Sequence, residues 1–207
     1  MSDSEDRWPL PNYNPGATKH LHAIGVIAVT FAAFERSVES IYFFYPQRMN
    51  LPDELINLYY FSLNEEKRLA AIREVFRSFE QDPAVVAAVE NVLSYFQWCR
   101  NVRNQILHAE RYPASFGADP DTLYLTKRMG KQSPQSGYMN FKLPELRSIA
   151  DRIRAGIVQS ATIHIHLRVR NLPIDQISPS LRIYATDPLP KPLEVPDALS
   201  LSPLPRP

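Results

Sequence analysis

Three features of the sequence predict an all-α fold: an up-and-down helical bundle with a β-hairpin inserted before its last helix and a Pro-rich extended C-terminal tail. Apolar residues recur at three- and four-residue spacing over four long stretches. One glycine-punctuated interval, about residues 121–143, alternates instead with the period of strands. Nine of the nineteen prolines lie beyond Asn171, which bars regular packing there.

Residues 1–16, aperiodic and rich in Pro, Asn and Asp, form an N-terminal arm. A helix is expected from about His20 to Tyr45, with Ile24, Ile27, Phe31, Phe34, Val38 and Tyr42 on one face and Pro46 at its end. A short helix follows from about Pro52 to Tyr60. The pattern Ser62-x-x-Glu65 resembles a capping box and opens a third helix running to about Glu80. Asp82 followed by Pro83 suits the start of a fourth helix on two counts, a side-chain acceptor and a residue that needs no N–H. The runs LYLTKRM and YMNFK read as the hairpin, and Pro144 starts a fifth helix. Its end is open at this level, because TIHIHLRVR (162–170) alternates as a strand would; helix through about Leu167 is favoured. The domain thus spans 17–170 and the tail 171–207.

Composition narrows the function classes. With 44% apolar and 22% charged residues the chain is of globular type. The longest apolar run, Ile24 to Phe34, is far shorter than the roughly 20 residues of a membrane span. An acidic N-terminus without an apolar core argues against a secretory signal, so no membrane association and a cytoplasmic location are expected. One cysteine, Cys99, excludes an intrachain disulfide and cysteine-based zinc sites. Six scattered glycines exclude phosphate-binding glycine loops. His20-x-His22 and His164-x-His166 diverge on a helix and lack further ligands, so no metal and no cofactor is expected. The net charge of +1 gives no global nucleic-acid footprint. A local basic run, Lys127, Arg128 and Lys131 with Lys142, contains no acid; it is either a solvated face or a surface for RNA phosphates.

The chemically unusual stretch is CRNVRNQILHAERY, residues 99–112. On a helix, Arg103 falls within the apolar stripe of Val85, Val89, Val92, Phe96, Cys99 and Ile106. Asn104 and His108 stack one turn apart on the polar flank. A buried unpaired guanidinium costs several kcal/mol, so a partner is required, and Glu35 on the first helix is the expected one.

Arg103-Asn104-x-x-x-His108 resembles the Arg-x4-6-His motif of the HEPN superfamily, in which a polar residue, often Asn, follows the arginine. The resemblance extends over roughly residues 17–168: a first helix with an embedded glutamate (FAAFERSVES), an Asp-Pro-started helix with the motif near its end, and a further helix after it. It implies a HEPN-like bundle that forms a homodimer with two motifs facing across a cleft, acting as a metal-independent endoribonuclease of the toxin or phage-defence kind. A non-catalytic relative that binds RNA, a nucleotide or a protein partner is the alternative. His108 then serves as general base or acid, since histidine titrates near neutrality. Arg103 stabilises the phosphate, Asn104 orients substrate or His108, and Glu35 holds Arg103. Some HEPN toxins are modified by an antitoxin on a tyrosine two residues beyond the histidine; Glu110 stands there, and Tyr112 is the nearest tyrosine, which weakens the case for an antitoxin partner of that kind. A third possibility concerns the tail, whose PLPKP and PLPRP segments resemble ligands of aromatic-lined grooves, or drape over their own domain.

Overall fold

The computed structural model describes residues 18–111, 122–128, 136–186 and 189–203. The N-terminal arm, Tyr112, Lys131 and the last four residues of PLPRP lie outside these residues.

The described chain is mostly helical. Helix α1, Thr18–Arg48, presents Ile27, Phe31, Phe34, Val38 and Ile41 to the core, all nearly or fully buried. It does not stop at Pro46. In the last turn a proline forfeits only one hydrogen bond, and Met49 N–H still reaches Tyr45 O at 3.0 Å. Asn50, at φ 57°, then closes the turn in the left-handed region, where Asn is tolerated. Helix α2, Asp53–Ser62, buries Ile56 and Tyr60. Helix α3, Glu65–Phe79, is capped by Asn64, whose side chain accepts from Lys67 N–H at 3.0 Å. Ser62 is therefore not the cap: it ends α2, and its hydroxyl donates to Tyr59 O.

Helix α4, Pro83–Leu107, starts as the sequence indicates, with Asp82 Oδ1 accepting from Ala84 N–H at 2.8 Å. After the two-residue strand β1, Glu110–Arg111, come β2, Thr122–Arg128, and β3, Ser136–Lys142, which pair antiparallel in full register. This hairpin precedes the last long helix, α5, Leu143–Val169, whose start is fixed by Glu145 accepting from Lys142 N–H. Residues 162–169 are helical: Ile153, Gly156, Ser160, Ile163 and Leu167 continue one buried stripe at helical spacing, which overrides the local alternation.

Helix α1 packs most extensively on α5, and both pack on α4, while α3 closes the groove between α1 and α4. Gly156 makes the α1–α5 contact possible, since a methyl there would collide with the Phe34 ring. Helix α1 as a whole is long and apolar enough to cross a membrane by length and composition, with 28% of its most apolar window buried. Among the described residues it is the one such helix.

The tail is less uniformly extended than its prolines suggest. Two 3-10 turns, Ile174–Gln176 and Pro179–Leu181, lead into a short helix α6, Ile183–Thr186. Isolated prolines at 173 and 179 sit where helical turns begin, positions that need no N–H. Residues 189–201 form no helix or strand, and β4, Ser202–Pro203, joins β3 at the edge of the sheet.

Candidate functional site

The apolar face of α4 fixes its rotation. Val85, Val89, Val92, Phe96, Cys99 and Ile106 are all buried, so Arg103 is carried inward with them and lies half-buried at the last turn but one. Its guanidinium stands 5.5 Å from the centre of the Phe31 ring on α1, a cation–π distance. Phe31 is itself stacked on Phe96 at 5.2 Å, so the ring under the cation is held in place.

Asn104 is the hub of the cluster. Its side-chain oxygen accepts from Arg103 Nη1 at 2.7 Å. Its main-chain carbonyl accepts from the His108 N–H at 3.2 Å and from Lys127 Nζ at 3.3 Å. One residue therefore gathers two cations and the helix-terminal histidine. His108 is the C-cap of α4 and is exposed.

The hairpin explains how Lys127 arrives. Strand β1 follows the helix end and pairs with β2, Glu110 opposite Thr126, which lays β2 against the terminus of α4. Leu123 and Leu125 point into the core, and strand alternation puts Lys127 on that same face. Arg128 falls on the opposite face and is exposed. Of the basic run, the fold thus brings Lys127 to the motif and directs Arg128 away from it; Lys131 is outside the described residues.

Glu35 faces this region from α1 without forming the expected ion pair. Among the described side chains, no carboxylate lies within 4.0 Å of the Arg103 guanidinium. Desolvation of its carboxyl, reinforced by the nearby Glu65, raises the pKa of Glu35 against the pull of Arg103, Arg68 and Arg100. Glu65 is bound instead by Arg100, Nε to Oε1 at 2.6 Å. Glu35 also lines a cleft of about 300 Å³ between α1, α2 and α3, with Arg36, Glu39, Tyr60 and Arg68. Arg68 is held there by the main-chain oxygen of Tyr60 at 3.1 Å and by the face of the Tyr60 ring.

Sequence reasoning missed Arg100 and Arg68 as neighbours of Glu35. Arg100 had a readable signal: it lies one turn before Arg103 and Asn104, on the flank of the same stripe. Arg68 had none, because its position follows from how α3 crosses α1. Tyr95 and Trp98, just before the motif, are buried core aromatics, as helical spacing suggests. Among the described residues no group of three or more His, Cys, Asp or Glu side chains could hold a metal ion. No family model, no curated protein and no solved structure matches the chain.

Proposed function

We propose that the chain is a HEPN-like RNA-acting protein, a metal-independent endoribonuclease whose site is centred on Arg103, Asn104 and His108. One observation supports this above the others: Arg103 is a half-buried cation that no described carboxylate neutralises, and Lys127 adds a second positive charge at the same residue, Asn104. Two convergent cations with no described carboxylate in direct contact suit a phosphate.

In cleavage of RNA by its own 2′-hydroxyl, a base removes the hydroxyl proton and an acid protonates the departing 5′-oxygen. His108, exposed beside the cations, is the group able to exchange a proton with the substrate. Arg103 and Lys127 would hold the non-bridging oxygens as charge builds on phosphorus. Asn104 sets the direction of both cations, and Glu35 tunes the field of Arg103 from a distance rather than by direct contact. One chain offers one such histidine. A twofold homodimer supplies the second, so the reading includes a shared site and a cytoplasmic setting where RNA is available.

The test is cleavage of labelled RNA and total tRNA in excess EDTA by the wild-type protein and by a folded His108→Ala variant of equal oligomeric state. Cutting that survives EDTA and falls at least a hundredfold in the variant is the expected result. A strictly monomeric protein that still cuts would refute the shared site.

A second reading, binding of RNA or nucleotide without catalysis, is favoured by one specific feature. Among the described residues the His108 ring has no hydrogen-bond partner to orient it. Under that reading neither protein cuts, and Arg103→Met abolishes RNA binding while His108→Ala leaves it intact.

A further inference from the structure

Helix α4 carries a second set of polar side chains, on a face that the motif does not use. Asn91, Trp98 and Gln105 are spaced seven residues apart and form one line along the helix. Each hydrogen-bonds to the main chain of the tail. Asn91 does so twice, donating from Nδ2 to Leu193 O at 2.9 Å and accepting from Leu193 N–H at 2.8 Å. Trp98 Nε1 donates to Asp197 O at 3.0 Å, and Gln105 Nε2 donates to Leu199 O at 3.3 Å.

The two spans match. From Asn91 to Gln105 the helix rises about 21 Å at 1.5 Å per residue. An extended proline-type chain from 193 to 199 covers about 19 Å at 3.1 Å per residue. The tail therefore runs parallel to α4, without hydrogen bonds of its own. Leu193 and Leu199 pack against the core while the polar contacts read only backbone groups.

The groove is also set in advance. Gln159 on α5, buried, donates to Asn91 Oδ1 at 3.3 Å and fixes the direction of that amide. Apolar residues would have sufficed to cover a permanent strap. An ordered amide pair and an indole N–H presented to peptide carbonyls is the chemistry of a recognition site, because these polar groups are costly whenever the groove is empty.

We infer that this face of α4 is a binding groove for an extended, leucine- and proline-containing peptide, and that residues 189–201 are its built-in ligand, exchangeable for a peptide of the same chemistry from another polypeptide. Tethering gives the chain's own segment an effective concentration on the order of millimolar. An outside peptide then enters only when it binds more tightly or when the tail is drawn away. Exchange also releases β4 from β3.

The experiment replaces Asp187 and Pro188 of the full chain with a site-specific protease sequence, cuts the folded protein, and follows the released segment by gel filtration. The segment is expected to co-elute with the domain and to be replaced by a labelled synthetic peptide of residues 189–203, with a change in Trp98 emission. A peptide carrying Leu193→Pro lacks the N–H that bonds Asn91 and is expected to bind at least tenfold more weakly; it leaves the protein itself unaltered. Asn91→Ala in the protein should weaken exchange to a similar extent. Unfolding on cleavage, retention without exchange over days, or loss of the segment with no binding of millimolar peptide would each overturn the proposal. None of these outcomes depends on whether the protein cuts RNA.

Discussion

Two of the arginines that enter the interior of this bundle are answered differently. Arg170, at the end of α5, donates from Nη2 to Glu80 Oε2 at 2.6 Å, and the Glu80 side chain is 2% exposed. The same carboxylate accepts from the Tyr45 hydroxyl at 2.6 Å and, through Oε1, from Asp82 N–H at 2.9 Å. Arg103 has an amide oxygen and an aromatic face instead. Each guanidinium leaves its Nε without a hydrogen-bond partner, so the contrast lies in charge rather than in the number of bonds. Where α1, α3, α4 and α5 must be pinned together, the positive charge is cancelled inside the protein. At the far end of α4 no described carboxylate touches the guanidinium, and Glu35 acts on it only from a distance. A directly paired arginine is architecture; under the proposed function, one without such a pair beside Lys127 serves an anion.

Substitution at the neutralised centre should have the largest effect. Arg170→Ala leaves Glu80 buried without its counter-charge, a loss of about 3–5 kcal/mol for breaking such a pair, visible as a large fall in the thermal midpoint. A fall no greater than that of an exposed substitution would remove the architectural half of the comparison. Tyr45→Phe removes one donor to the Glu80 carboxylate and should cost about 1.5–3 kcal/mol in chemical denaturation. It should leave the anion-dependent behaviour of the protein unchanged.

Acid should act on the same centre. Burial alone would raise the Glu80 pKa, but the bonds from Arg170, Tyr45 and Asp82 N–H outweigh it and bring it below the ordinary glutamate value. A depressed carboxyl contributes its stability in full above the unfolded value, about 4.3, and loses it as the pH falls through the folded value. Unfolding free energy measured from pH 7 downward should therefore decline in the acid range, with a shallower slope in Arg170→Ala. Equal slopes in the two proteins would mean that the pair contributes nothing to the acid limb. On the alkaline side, burial foremost and then the bond to Glu80 push the Tyr45 hydroxyl up to about 12, so its contribution is complete below about pH 10 and fades above it.

Much of this was legible in the sequence because it depends on local rules. The Asp82–Pro83 helix start, the hairpin and the inward phase of Arg103 follow from capping chemistry and periodicity alone. The failures are equally specific. Pro46 signals a stop only if its missing N–H matters, and in a final turn it does not. Ser62 and Asn64 are both good caps, and tertiary packing of α2 chose between them. The Glu35–Arg103 pairing was inferred from two helix faces, but Arg100, one turn earlier on α4, and Arg68, brought in by the crossing of α3, also act on Glu35, and the place of Arg68 is one that no single-helix argument contains. Lys127 could be named as a basic residue from sequence, yet its proximity to Asn104 needed the β1–β2 pairing. The groove for the tail was invisible for a related reason: Asn91, Trp98 and Gln105 acquire meaning only when a segment about a hundred residues later lies across them.

The smallest effect on stability is the most informative. Arg103→Met keeps the length and the apolar contact with Phe31 while deleting a charge that no described carboxylate touches, so stability should change by only about 1–2 kcal/mol, for the cation–π contact and the bond to Asn104 that it loses. Added anion should then separate the proteins. Inorganic pyrophosphate, a metal-free stand-in for adjacent phosphate oxygens, should raise the midpoint of the wild type, by about 1.4 kcal/mol at ten times its dissociation constant. Arg103→Met should lose that gain, and Lys127→Met should keep part of it, because one of the two cations at Asn104 remains. If Arg103→Met instead destabilises the protein as much as Arg170→Ala, Arg103 is a second structural pin and its lack of a carboxylate has no bearing on ligands. If the anion stabilises wild type and Arg103→Met equally, it binds elsewhere, and the basic residues at the end of α4 are no more than a solvated surface.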